Sequence, residues 1–144
     1  MSRPAEVRFY FDADVLGLAH VVARLRSDCT YPGDPGALIK GRARGPCPIT
    51  SPEVKDPDWI RDVSSRGWLI ITRDSRILQH RAEIGAVRDS QARLVALTGE
   101  EARGTWQQLE ILLSRWRSIE QLLDQAGPFA YTATRTTLKQ VPLS

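Results

Sequence analysis

The stretch VRFYFDAD, residues 7–14, decides the fold of this 144-residue chain. Its first five residues form a short run of β-branched and aromatic side chains that ends abruptly at Asp12, which predicts a buried strand. Apolar residues at near-helical spacing follow from Leu16 to about Arg26 and predict a first helix. A strand that leads directly into a helix is typical of an α/β layer fold with a parallel sheet.

A second stretch, GWLIITRD at residues 67–74, repeats the pattern of a buried strand that ends at an acid. Its apolar part, Trp68–Thr72, predicts a strand, and Asp74 follows. The preceding Asp56-Pro57 pair has the composition of a helix start, with aspartate as the N-cap and proline in the first turn. The predicted helix runs to about Arg66 and is closed by Gly67.

The rest of the chain predicts further elements of both kinds. They are a helix over residues 75–83, a strand over Arg93–Leu97, a long helix over Glu100–Gln125, and one or two edge strands within Phe129–Val141. Gly127-Pro128 stops the long helix. One apolar stripe supports that helix: Trp106, Leu109, Leu112, Leu113, Trp116, Ile119, Leu122 and Leu123.

Residues 28–56 are rich in proline and glycine and predict a long loop, with a short element near Ala37–Lys40. A loop of this length is either a flap over a site or a mobile insertion. The basic side chains of Lys40, Arg42 and Arg44 lie in it and are interpreted as solvated.

Composition limits the class of protein. A hydrophobic fraction of 42% and a charged fraction of 26% exclude a wholly disordered chain, and the length suits one domain over residues 1–144. No apolar run approaches the ~20 residues of a membrane span, and the N-terminus has no secretory apolar segment. Cys29 and Cys47 are expected to be free thiols in a reducing cytosol. A net charge of +3 permits nucleic-acid binding without proving it.

The acids at the two strand ends carry the chemistry. Ligands bind beyond the carboxyl ends of parallel strands, so Asp12 and Asp74 meet if their strands are neighbours. Clustered carboxylates repel one another and favour Mg²⁺ or Mn²⁺, which activate water for phosphoryl transfer. Arg73, Arg76 and Arg81 flank the last acid and are candidates for phosphate contacts. For each acid alone, a turn or capping role is the structural alternative.

Together the segments FYFDAD, DPDWI and GWLIITRDSRI resemble the PIN-like domains of VapC-type toxins, over about residues 7–125. The resemblance implies an α/β, three-layer fold with a mostly parallel central sheet. It further implies that acids at the carboxyl edge of that sheet bind Mg²⁺ or Mn²⁺ and cleave RNA. An antitoxin encoded beside the toxin is the implied protein partner, a homodimer is possible, and the expected location is cytoplasmic.

Residue by residue, Asp12 matches the first acid of that family, Asp56 the second and Asp74 the third. Asp58 is an alternative register for the second acid, and Asp14 is a helper beside the first. The resemblance therefore assigns metal ligation to Asp12, Asp56 and Asp74. The fourth acid of larger PIN domains has no clear equivalent, with Asp89 the nearest, which puts a two-metal site in doubt.

Two other functions compete with this interpretation. FYFDADV also resembles the opening motif of haloacid-dehalogenase-like phosphatases, but no lysine follows Thr72 before Lys139, and Glu100 and Glu101 stand where that family has aspartates. A non-catalytic PIN-like binding module is the other alternative, although such a module has no reason to gather acids. Trp106 and Trp116 are interpreted as core residues, or as an oligomer or antitoxin face.

Overall fold

A computed structural model describes residues 2–51, 53, 56–73 and 81–143, with the side chains of Asp56, Glu100 and Glu101 left aside. Nine strands and four α-helices are found in this part of the chain. In chain order they are β1 (Arg3–Pro4), β2 (Phe9–Phe11), α1 (Leu16–Leu25), β3 (Cys29–Thr30), β4 (Ala37–Ile39), β5 (Arg42–Arg44), α2 (Asp56–Ser65), β6 (Leu69–Thr72), α3 (Arg81–Asp89), β7 (Arg93–Leu97), α4 (Thr105–Gln121), β8 (Phe129–Ala133) and β9 (Leu138–Val141).

Six strands form the central sheet in the order β3-β2-β6-β7-β8-β9. The pairs from β3 to β8 are parallel, and β9 runs antiparallel to β8 at one edge. The strands β2, β6 and β7 are almost entirely buried, as their continuous apolar sequences require for a sheet covered on both faces. This confirms the α/β class and the mostly parallel sheet, and β7 has the predicted bounds.

The two faces of the sheet bury separate cores because successive strand residues point to opposite sides. Phe9, Phe11 and Ile71 pack with the apolar residues of α1 and α4. Tyr10 and Ile70 pack on the other side with those of α2 and α3. The fold therefore has three layers, with helices on both faces of the sheet, as predicted.

The predicted long loop at residues 28–56 contains more regular structure than expected. β3 extends the central sheet, and β4 and β5 form a hairpin that pairs with β1 in a second, three-stranded sheet. Strands of two or three residues are too short to show a period of two in the sequence. The interpretation of Arg44 as solvated is wrong, because its side chain is buried against Asp34.

The long C-terminal helix is shorter than predicted and its stripe is only partly buried. A 3₁₀ turn over Glu100–Arg103 precedes α4, and another over Leu122–Asp124 follows it. Trp116 packs on Phe9, with ring centroids 4.7 Å apart. Trp106 and Leu113 are 68% and 67% exposed, so Trp106 is not a core residue, and its alternative interpretation as an oligomer or antitoxin face stays a prediction.

The bounds of the remaining elements agree with the predicted ones in part. α1 and α2 begin and end close to the expected residues. The C-terminal tail supplies two strands as predicted, but only β9 lies at an edge, because β8 pairs with both β7 and β9. α3 extends to Asp89, six residues beyond the predicted end at Glu83, while residues 75–80 lie outside the described part. Among the described residues, no helix combines the length and apolar character needed to cross a membrane. The single domain over residues 1–144 stays a prediction.

Candidate functional site

The candidate site lies where β2 and β6 end side by side. The two strands are parallel neighbours with Phe11 opposite Ile71, and the Asp12 amide donates to the Ile71 carbonyl at 2.9 Å. The residues that follow both strands therefore meet at one edge of the sheet, here called the carboxyl edge. The condition under which the sequence predicts a site, adjacency of these two strands, is met.

Asp12 uses its two carboxylate oxygens differently. Oδ1 accepts a hydrogen bond from the Ala13 amide at 2.6 Å and so caps the 3₁₀ turn Ala13–Val15. Oδ2 accepts from the hydroxyl of Thr72 at 3.1 Å. The side chain is buried, with 7% exposure. Asp12 is thus both a cap and a site residue. The hydrogen bond to Oδ1 fixes the carboxylate so that Oδ2 is directed towards Thr72.

Asp14 lies on the other side of the same hydroxyl. Thr72 Oγ1 is 3.2 Å from Asp14 Oδ1 and 3.1 Å from Oδ2, and the Arg73 amide donates to Oδ1 at 3.3 Å. A threonine hydroxyl has one proton to donate, so it serves one carboxylate at a time. Two carboxylates therefore converge on a single hydroxyl group.

Thr72 is the residue of this site that the sequence analysis missed. It is fully buried at the last position of β6 and joins Asp12 and Asp14 across two strands. The available signal was a polar residue that closes the apolar run LIIT directly before the arginine and acid. Sequence alone does not distinguish this role from that of an ordinary β-branched strand residue.

The arrangement suits a divalent cation of the hard class. Two carboxylates this close repel each other, and oxygen ligands are those that Mg²⁺ and Mn²⁺ prefer. Within the described ranges, no group of three histidine, cysteine, aspartate or glutamate side chains is close enough to hold a metal. The predicted third acid, Asp74, lies outside the described residues, as do Arg76 and His80.

The second predicted acid comes from α2. This helix begins at Asp56 and ends at Ser65, four residues before β6 starts, so it runs back along the sheet. Its first turn therefore lies towards the carboxyl edge, as the assignment of Asp56 requires. The Asp56 side chain is outside the description, and Asp58 is exposed on the same turn, so the register between the two stays open.

Asp89 does not fit the place of a fourth acid. It is the last residue of α3, four residues before β7 begins, and the Ala92 carbonyl next to β7 accepts from the Phe129 amide at the start of β8. Asp89 therefore lies near the amino ends of the strands, whereas Asp12 follows a carboxyl end. The suggestion of Asp89 as the nearest equivalent is wrong.

Several other polar groups can be placed. Arg73 is exposed directly after β6, and Arg81 is exposed at the start of α3. His20 is exposed on α1, where its ring lies 4.8 Å from that of Tyr31. Cys29 and Cys47 are free, as predicted, and both are buried. Burial raises the pKa of both thiols, which disfavours a thiolate nucleophile.

Comparison with known proteins supplies one finding. Residues 7–99, more than half of the chain, match the family model described as PIN-like domain. The match begins before β2 and ends after β7, so it includes Asp12, Asp14 and Thr72. Searches of curated proteins and of solved structures found no match.

Proposed function

Because this chain belongs to the PIN-like domain family, whose members are in general nucleases, we propose that it is a ribonuclease dependent on Mg²⁺ or Mn²⁺. The observation that carries the proposal is the convergence of Asp12 and Asp14 on the Thr72 hydroxyl at the carboxyl edge. In open α/β sheets, substrates and ions bind beyond the carboxyl ends of the strands, and the two acids lie at this position.

The proposed metal ligands are Asp12, Asp56 and Asp74, with Asp14 as a helper. When bound, the metal supplies an activated water and neutralises charge on the phosphoryl group. Backbone and side-chain groups of the chain orient the carboxylates. The Ala13 amide holds one oxygen of Asp12, which leaves the other directed towards Thr72 and Asp14.

The proposed phosphate contacts are Arg73 and Arg76. Arg73 is exposed directly after β6, and its backbone amide donates to Asp14, which supports a role for this residue at the same edge as the acids. Arginine suits this role because its planar fork matches two phosphate oxygens.

Further, we propose that the nuclease is the toxin of a type II toxin–antitoxin pair, acting in the cytoplasm and neutralised by a cognate antitoxin. Trp106 and Leu113 of α4 support a protein partner, since they are both exposed and their spacing of seven residues places them on the same face of the helix. The same surface is available to a homodimer.

The direct test is cleavage of a broad RNA panel by purified, antitoxin-free protein with Mn²⁺ and with EDTA. Asp74→Asn, purified in the same way, controls for a contaminating nuclease. We expect cleavage that needs both the metal and Asp74. Its absence from folded protein would overturn the proposal, and a phosphomonoester assay on the same sample would then separate a phosphatase from a non-catalytic binding module.

A further inference from the structure

A cavity of about 400 Å³ lies at the amino ends of the first strands, away from the carboxyl edge. Arg8 directly precedes β2, Asp28 directly precedes β3, and the β4–β5 hairpin supplies the outer wall. Its charged lining residues are Arg8, Arg26, Lys40, Arg42, Glu6 and Asp28. We call it the amino-edge cavity. Four cations against two acids make it electropositive.

Two of the cations are held in fixed positions by one buried acid. Arg8 Nη2 and Arg26 Nη2 lie 2.7 Å and 3.0 Å from Asp28 Oδ2, and Asp28 is 8% exposed. The Arg26 guanidinium also lies over the Trp116 ring, 4.8 Å from its centroid. Both arginines bond through Nε and Nη2, and among the described residues neither Nη1 has a hydrogen-bond acceptor. The guanidinium groups are therefore preorganised for a further anion.

The other two cations come from the hairpin. β4 and β5 are joined by Lys40 and Gly41, both with positive φ, as a tight two-residue hairpin turn requires. Lys40 and Arg42 are exposed. A third carboxylate, Glu120, lies 3.6 Å from Arg26 and 3.9 Å from Arg8 and weakens the positive field there.

We propose that the amino-edge cavity binds a backbone phosphate of the RNA whose scissile bond lies at the carboxyl edge. This inference rests on the proposed function, which makes an RNA strand the substrate. Arg8 and Asp12 are four strand positions apart, about 13 Å between Cα atoms at ~3.3 Å per residue. The distance is short enough for one single strand of RNA to contact both places. Guanidinium forks recognise phosphate by geometry as well as by charge.

The test measures binding of a fluorescein-labelled, single-stranded RNA dodecanucleotide by anisotropy, in the Asp12→Asn background so that no cleavage occurs. The variant Lys40→Gln/Arg42→Gln removes two exposed cations of the cavity. The control Arg88→Gln/Lys139→Gln removes two exposed cations elsewhere, on α3 and β9, and changes the net charge equally.

We expect the cavity variant to bind about tenfold more weakly than the control, with a salt dependence reduced by about 0.7 in log–log slope for each lost phosphate contact. Glu120→Gln, which removes the nearby negative charge, is expected to bind more tightly. Equal affinity and slope in the two double variants would overturn the inference. The inference would also be overturned if binding of a decaglutamate peptide depends on Lys40 and Arg42 while binding of RNA does not. The cavity would then recognise an acidic protein.

This assay separates the inference from the function on which it rests. Cavity-dependent RNA binding together with no cleavage by the wild-type protein would support the phosphate site and overturn the nuclease. Cleavage with no dependence of binding on Lys40 and Arg42 would support the nuclease and overturn the phosphate site.

Discussion

Two groups of aspartates lie beside β2 and β3, and the hydrogen bonds that the described residues make to them differ in kind. Asp28 accepts hydrogen bonds from two arginines, and Asp34 accepts from Arg44 and Thr30. At the carboxyl edge, Asp12 and Asp14 converge on one threonine hydroxyl.

The difference separates acids that stabilise the fold from acids suited to a ligand. When a carboxylate is hydrogen-bonded to a guanidinium group, the two charges compensate each other within the protein. Removal of the carboxylate leaves the guanidinium charge unpaired. Two carboxylates that face the same hydroxyl repel each other, and a divalent cation relieves that repulsion. Residue type is the same in both groups, and Asp12 and Asp14 differ from Asp28 and Asp34 in that they lie together at one buried hydroxyl.

Replacement of an acid at the carboxyl edge is expected to have the largest effect. Asp12→Asn should reduce RNA cleavage by more than about 100-fold, because a charged group that acts directly on the reaction is lost. Asparagine is as good an N-cap as aspartate, so thermal unfolding should change little. Cleavage rates and melting temperatures of the same preparations check this. A stable Asp12→Asn protein with wild-type activity would remove Asp12 from the site.

Breaking the buried ion pair between Arg44 and Asp34 should lower the stability of the fold. The side chains of Arg44 and Asp34 are 3% and 1% exposed and lie 2.7 Å apart. Arg44→Ala should therefore lower the free energy of unfolding by about 3–5 kcal/mol. Arg42→Ala, on the same strand but exposed, should stay within about 0.5 kcal/mol of wild type. Urea unfolding measures both, and equal losses would show that the pair is not special.

The hydroxyl that joins Asp12 and Asp14 gives a smaller, intermediate effect. Thr72→Val keeps the shape of the buried side chain and removes the donor, so the two carboxylates lose their common orientation. Cleavage in saturating Mn²⁺ should fall about tenfold, as for other groups that orient metal ligands. Thr72→Ser keeps the hydroxyl and should retain most of the activity. If the valine and serine variants cleave equally well, the hydroxyl has no positioning role.

The smallest expected effect is a pH dependence from Asp28. Burial alone would raise the pKa of this carboxyl, but hydrogen bonds from Arg26 and Arg8 outweigh burial and lower it below the ordinary value of 3.8. The ionised form therefore stabilises the folded state above pH 3.8, and this contribution is lost as the pH falls through the folded-state pKa.

Both arginines are partly exposed, so the contribution is modest. We expect the free energy of unfolding of the wild type at pH 7 to exceed that of Asp28→Asn by about 1 kcal/mol. Unfolding of the two proteins at pH 7 and at successively lower pH tests this. A difference that stays constant below pH 3.8 would contradict the assigned cause.

The sequence predicts the strands that carry the carboxyl-edge acids but not the arginine partners of Asp28 and Asp34. The strands β2 and β6 are visible in the sequence as apolar runs followed within two residues by Asp12 and Asp74, and the α/β class follows from the alternation of such runs with helical spacing. The arginine partners of Asp28 and Asp34 are distant in sequence or lie on very short strands, so no periodic pattern reveals them. Arg44 looks like a solvated loop residue until β5 brings it to Asp34.

Two further misses have similar causes. Thr72 reads as an ordinary strand residue because its partners come from the end of β2, about sixty positions earlier in the chain. Trp106 fits the apolar spacing of the long helix, but it lies in the first turn of α4, outside the part of the helix that faces the sheet. Spacing predicts the direction of a side chain but does not show whether a neighbouring element covers it.

The most direct test of the central claim is calorimetric titration of Mn²⁺ into the wild-type protein and into Asp12→Asn, since it requires no knowledge of the target RNA. Asp62→Asn is the matched control, since Asp62 is a partly exposed aspartate of α2 that is paired with Arg66. We predict saturable Mn²⁺ binding by the wild type and the control, and its loss in Asp12→Asn. Equal binding by all three proteins would contradict the assignment of the carboxyl edge as the metal site.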